Sequence, residues 1–395
     1  MFRKISLISI LYTLYCLPLF GQIKTFNQGT IREPEYFSKI PFEFKAGKII
    51  ITVTIDNQDF RFILDTGAPT IITDKLRKKL ALKALQKIEV GDQSSLKDSL
   101  STCYIQSMKI GKVTFDSTIS LIQNNQIFDC FNVDGIIGSN QLRNSIIHLS
   151  LQDSNLTITN KISKLPVRKE HSSQLNLGPF QSSPYILVQL LGKKKKKETV
   201  LFDSGYNGFY NLSSRHYKIF SKKAIFTELS ESYGNSLVGL FGAENTSKTS
   251  LLFLKELLIG STSIKNITLQ TTQGDDSCIG TELLNYGTVT IDNIGKQFYF
   301  TPFDGQKSFN YEQPAYPFEL GLNSQNKVII GQIWNKESMG KVEVGDQVIE
   351  INKIPILDIC PLLTGSIRYK DFKQVKMVVQ KKNGERLSIE VSKVK

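Results

Sequence analysis

Two short triplets hold the side chains of this 395-residue sequence best suited to acid–base chemistry, Asp65-Thr66-Gly67 and Asp203-Ser204-Gly205. Each supplies a carboxylate, a neighbouring hydroxyl and a glycine that lets another stretch of backbone come close. A single Asp-x-Gly after a strand is usually a turn. Two of them, 138 positions apart and each at the end of an apolar run, point to more than a turn. Two carboxylates in contact do not both ionise, so the pair keeps one proton near neutral or acidic pH. Such a pair is a general acid and a general base around one water. Competing chemistries have little to stand on. The three histidines, His148, His171 and His216, are scattered, and none lies in an H-E-x-x-H run. No G-x-S-x-G elbow and no glycine-rich phosphate loop occurs, and the five cysteines form no C-x-x-C pair. No metal and no cofactor is expected.

The triplets recur because the segments that carry them recur. In the first segment, strands expected over Ile49 to Ile55 and Phe60 to Leu64, joined by the turn Asp56-Asn57-Gln58-Asp59, lead into Asp65. In the second, strand Tyr185 to Leu191, a turn filled by Gly192 and Lys193 to Lys197, and strand Thr199 to Phe202 lead into Asp203. Further along, Ile110-Gly111-Lys112-Val113-Thr114-Phe115 is mirrored by Ile259-Gly260-Ser261-Thr262-Ser263-Ile264. An apolar-apolar-Gly element follows in both, Ile136-Ile137-Gly138 and Cys278-Ile279-Gly280, and alternating strands close each copy. Two β-rich lobes over 44–160 and 179–303 follow from this order, joined by the polar stretch 161–177. The part over 309–395 has another character. It carries Leu320-Gly321-Leu322, a strand over Val328 to Ile333, the run Val344 to Asn352, and a hairpin turn at Asn383-Gly384.

The chain is basic, with 49 Lys+Arg against 36 Asp+Glu and a net charge of +13. Five of those lysines crowd one expected turn, where a solvated loop explains them, so nucleic acid is not implied. Residues 1–21 begin with Arg3 and Lys4, continue through apolar Ile5 to Leu19 and end at Gly21, the pattern of a secretory signal peptide. That apolar stretch falls short of the roughly 20 residues a span needs, so no membrane anchor is expected after cleavage. The mature protein is expected to be exported, periplasmic or secreted. Of the four cysteines then left, Cys103 and Cys130 are the one same-lobe pair and the expected disulfide, if one forms.

Residues 44–303 resemble the aspartic protease superfamily, specifically the bacterial retropepsin-like and pepsin-like enzymes with two fused lobes. The motifs are Phe62-Ile63-Leu64-Asp65-Thr66-Gly67-Ala68 with Gly135-Ile136-Ile137-Gly138, and Val200-Leu201-Phe202-Asp203-Ser204-Gly205 with Cys278-Ile279-Gly280. The resemblance implies a mainly β, bilobal fold of two pseudo-symmetric barrel-like lobes that hydrolyses peptide bonds. Asp65 and Asp203 would be catalytic and hold the attacking water. Thr66 and Ser204 would hydrogen-bond across the pair, with Gly67, Gly205, Gly138 and Gly280 supporting the loops. A flap would come from the region between about Ile88 and Met108. Tyr206 departs from the small residue common after the second glycine. A ring filling the site would leave a non-catalytic peptide-binding protein on the same fold, the alternative reading. The C-terminal segment resembles a PDZ domain, a small α+β unit, on Val344 to Asn352 and Leu320-Gly321-Leu322. That implies a loop at Leu320, Gly321 and Leu322 receiving a peptide carboxylate while the peptide adds a strand, or a packing role within the chain. The partners expected are a peptide or protein substrate and a C-terminal peptide at the PDZ groove; a monomer is expected.

Overall fold

The computed structural model describes residues 25–94, 96–236, 238–311 and 315–393. The expected signal peptide lies outside them. The protein is mainly β. Among the described residues no helix is long and apolar enough to cross a membrane.

The strand Lys48–Ile55 turns through Asp56 and Asn57, both at positive φ (48° and 59°), into Gln58–Asp65. That two-residue turn has the twist a hairpin needs, and Asn and Asp tolerate it. Ile49, Ile51 and Val53 face one core and Ile50 another, so the strand is covered on both sides. Beside Gln58–Asp65 runs Gly135–Gly138 in parallel, with Asp65 opposite Gly138. The approach is close enough to require glycine, because a Cβ on Gly138 would stand 2.2 Å from the Pro69 carbonyl carbon. Ile71–Ile72 then pairs antiparallel with this strand and parallel with Val113–Ile122.

The second repeat is built the same way. Pro184–Leu191 and Lys195–Phe202 form the hairpin, and Cys278–Ile279 runs parallel to the latter. Tyr210–Ser213 pairs antiparallel with Cys278–Ile279 and parallel with Thr262–Thr272. The two repeats are joined where Ile146–Ser150 pairs with Gly287–Asp292. The lysine run is mostly strand rather than turn. Lys195 to Lys197 pair with Leu191 to Gln189, which leaves only Gly192 to Lys194 to reverse the chain.

Beyond residue 303 the chain still serves the second repeat. Ser308–Asn310 adds a parallel strand to Thr262–Thr272, and Tyr311 stacks on Phe209 with ring centroids 4.3 Å apart. The C-terminal unit then forms a separate sheet with its own core of Phe318, Ile330, Val348, Ile351, Met377 and Val379. Leu320, Gly321 and Leu322 do not form a loop. They lie in the edge strand Phe318–Leu322, whose backbone is taken up by antiparallel pairing with Val328–Ile333.

The expected Cys103–Cys130 disulfide is absent. Cys103 is fully buried in the main core as a free thiol. Cys130, on the helix Gln126–Phe131, is bonded instead to Cys360, which opens the helix Cys360–Leu363 of the C-terminal unit.

Candidate active site

Each Asp-x-Gly loop leaves its strand where the parallel neighbour strand ends, and the two loops meet face to face. Thr66 and Ser204 lock them. The Thr66 hydroxyl accepts the Ser204 N–H at 3.0 Å and donates to the Phe202 carbonyl at 2.6 Å. Reciprocally, the Ser204 hydroxyl accepts the Thr66 N–H at 3.0 Å and donates to the Leu64 carbonyl at 2.9 Å. All four bonds are buried, where a lost partner would leave an unsatisfied group.

Inside this frame Asp65 Oδ1 accepts the N–H groups of Gly67 and Ala68, at 2.9 and 3.0 Å. Asp203 Oδ1 accepts the Gly205 N–H at 2.8 Å. The two carboxyls are close enough for the charge of Asp203 to act on Asp65. Each glycine lies under the opposite carboxyl: a Cβ on Gly67 would stand 2.6 Å from Asp203 Cγ, and one on Gly205 2.2 Å from Asp65 Oδ2. Glycine is therefore what lets the carboxyls meet. Burial first, and then the charge of Asp203, push the Asp65 carboxyl up to about 8, against the opposing pull of Lys48 and the Gly67 N–H. The pair thus holds a proton through neutral pH.

Behind the loops, Gly138 donates its N–H to the Thr70 hydroxyl at 3.2 Å, and Gly280 donates to the Phe209 carbonyl at 3.1 Å. Tyr206 does not enter the pair. Its ring turns back along its own loop, with the hydroxyl over Gly208, where a Cβ would stand 2.2 Å away. The room for that turn comes from glycine at 208 and 280. Burial raises the phenol above its usual range, and the charges it senses include those of Glu282, Glu319 and Lys370.

Four side chains not singled out from the sequence complete the site. Gln93 sits between the strands Lys87–Gly91 and Lys97–Ile110, at the tip of the hairpin expected as the flap. Its amide donates to Asp203 Oδ2 at 2.8 Å and lies 2.8 Å from the Cys278 sulfur. Asp92 beside it accepts the Phe241 N–H at 3.0 Å, tying the tip to the second repeat. Gln181 donates to the Gly67 carbonyl at 2.7 Å. Lys48 reaches from the first repeat to the Gly205 carbonyl. The run Gly91-Asp92-Gln93-Ser94 was the available turn signal for the tip, and a lone lysine opening an apolar strand was the signal for Lys48. Among the described residues no group of His, Cys, Asp and Glu could hold a metal ion.

Residues 51–141 match the sequence profile of the aspartyl protease family. That stretch holds the first triplet and the Gly135–Gly138 strand. No curated protein matches the chain. Among solved structures it is similar to a retropepsin-like aspartic protease from Rickettsia conorii, at 16% identity over 33% of this chain and 95% of that one, with a TM-score of 0.25. It is also similar to an aspartic proteinase from Irpex lacteus, at 12% identity over 69% and 99% of the two chains, with a TM-score of 0.43. Basic 7S globulin from soybean is a third, at 9% identity over 68% and 95%, with a TM-score of 0.38.

Proposed function

We propose that this chain is an exported aspartic endopeptidase with two lobes around one catalytic pair, Asp65 and Asp203. One observation carries the reading: the reciprocal Thr66 and Ser204 hydrogen bonds lock the two Asp loops so that each glycine lies under the opposite carboxyl. A water between them would lose a proton to the ionised carboxyl as its oxygen attacks the peptide carbonyl carbon. The proton held by the other carboxyl would go to the carbonyl oxygen. Collapse of the tetrahedral species breaks the C–N bond and delivers a proton to the leaving nitrogen. In the conformation described, Gln93 occupies the outer oxygen of Asp203, so the flap must lift before substrate enters. The turned-back ring of Tyr206 supports a working second loop over the non-catalytic alternative.

The C-terminal unit is, in this reading, a PDZ domain used within the chain. Asn235 of the second repeat donates its side-chain amide to the Leu322 carbonyl at 3.0 Å and its N–H to the Gly331 carbonyl at 3.0 Å. A peptide would add its strand beside Leu322. Export, with cleavage of residues 1–21, is supported by the Cys130–Cys360 bond, which an oxidising compartment preserves.

The test is digestion of a mixed peptide library by wild type, Asp65→Asn and Asp203→Asn, with fragments read by mass spectrometry. Cleavage by wild type alone, insensitive to chelators, is expected. Retained cleavage by Asp203→Asn, or its loss with a chelator, would overturn the mechanism.

A further inference from the structure

The turn before the first hairpin strand crosses to the other repeat. Ala46 and Gly47 both have positive φ, 47° and 83°, which aims the turn at the second Asp loop. Gly47 packs so closely that a Cβ there would stand 2.4 Å from the Asn207 Cβ. Its carbonyl accepts the Thr281 hydroxyl at 2.7 Å. Lys48 follows directly, and its half-buried side chain runs to the Gly205 carbonyl, the glycine that lies under Asp65. The ammonium is thus fastened by a backbone acceptor of the second Asp loop, at the glycine that lies under Asp65. Nothing in the acid–base mechanism proposed above uses it.

We infer that Lys48 is a positioning residue that holds the second Asp loop through Gly205 and supplies a fixed positive charge to the Asp65 and Asp203 pair. The inference rests on the endopeptidase reading for its consequence in catalysis, but not for its electrostatics. The carboxyls whose charge acts on the ammonium are those of Asp65 and Asp203. The neighbouring Cys278 thiol senses both carboxyls and the Tyr185 phenol senses Asp276 and Asp203, and burial keeps both neutral. Lys48 itself is pulled below the usual lysine range by burial, against the two carboxylates that favour its charge. A carboxylate gains its charge more readily beside a cation, so Lys48 moves the titration of the pair toward lower pH. Without it, both limbs of a bell-shaped cleavage profile move toward higher pH.

The experiment compares wild type, Lys48→Met, Lys48→Gln and Lys48→Arg in the full chain. The titration of the pair is followed by carboxyl 13C shifts of labelled aspartate, with Asp65→Asn assigning the signal, and cleavage is measured against pH in parallel. Loss of the cation is expected to raise the apparent titration by about 1 to 3 pH units, with Lys48→Arg close to wild type. An unmoved titration in a folded neutral variant overturns the inference. Should Lys48→Met not fold, Lys48→Gln, which retains a donor for the Gly205 carbonyl, carries the same comparison. The two failures are separable. If wild type cleaves nothing yet the titration moves, the charge role stands and the endopeptidase reading falls. If wild type cleaves and the neutral variants give superimposable profiles, the charge role falls alone.

Discussion

Replacing Asp65 by Asn should make the protein more stable at neutral pH while it ends cleavage. Asn copies the protonated carboxyl: its Oδ1 still accepts from Gly67 and Ala68, and its amide still donates toward Asp203. What it lacks is the ability to ionise. The folded carboxyl is raised from 3.8 to about 8, so it contributes stability that is complete below about pH 4 and is lost as pH climbs through 8. At pH 7.5 the loss amounts to about 5 kcal/mol at ~1.4 kcal/mol per unit. Since the proton is shared with Asp203, we assign roughly half of it, ~2–3 kcal/mol, to the substitution. With unfolding entropy near ~2 cal/mol/K per residue, that is a gain in Tm of roughly 2.5 to 4 °C for a chain of this length. Thermal melts of wild type and Asp65→Asn from pH 4 to pH 8 give the measurement. The difference should vanish at pH 4 and grow steadily above it. A constant offset, or a variant less stable than wild type at pH 7.5, would refute the shared proton.

Three other outcomes follow from the same geometry. Cleavage should decline above about pH 8 as Asp65 loses its proton, and a rate still level at pH 9.5 would count against that carboxyl as the proton holder. Thr66→Val strands the Ser204 N–H and the Phe202 carbonyl, and should cost about 2–4 kcal/mol in urea unfolding, whereas Thr66→Ser should stay within ~1 kcal/mol. Gly205→Ala places a methyl 2.2 Å from Asp65 Oδ2 and should lower kcat by about 100-fold or more with far-UV dichroism unchanged; a near-normal kcat would mean that the carboxyls need not touch.

How much of this could be read in advance depended on the range of the signal. The paired triplets were visible because each closes a local hairpin, and the hairpin pattern is written in adjacent residues. Their contact is a consequence of the repeat, which the eye can find in one dimension. Lys48 is different: it stands between a turn and the apolar core residues Ile49 to Ile51, and only the register between the repeats shows that it ends at Gly205. Gln93 likewise acquires meaning from where the flap hairpin points, which strand periodicity does not encode. Lys195 to Lys197 have poor strand propensity, yet pairing with Gln189 to Leu191 overrode it. The sequence showed Tyr206 as a ring that could fill the site, but not that Gly208 makes the space for it to turn away. Cys130 and Cys360, 230 residues apart, offered no local pattern at all.

That last bond sets an order of events during synthesis. The chain emerges from its N-terminus, so Cys130 is made and its helix can pack before any of the second repeat exists. At roughly 5 to 20 residues per second, its partner follows only after on the order of 10 to 50 s. Wherever the thiols meet an oxidising milieu, Cys130 can pair with Cys103 or Cys278 until burial of both in folded strands removes those partners. Correct pairing is therefore decided by which cysteines are hidden first, and the bond, once closed, marks a chain whose last domain has docked.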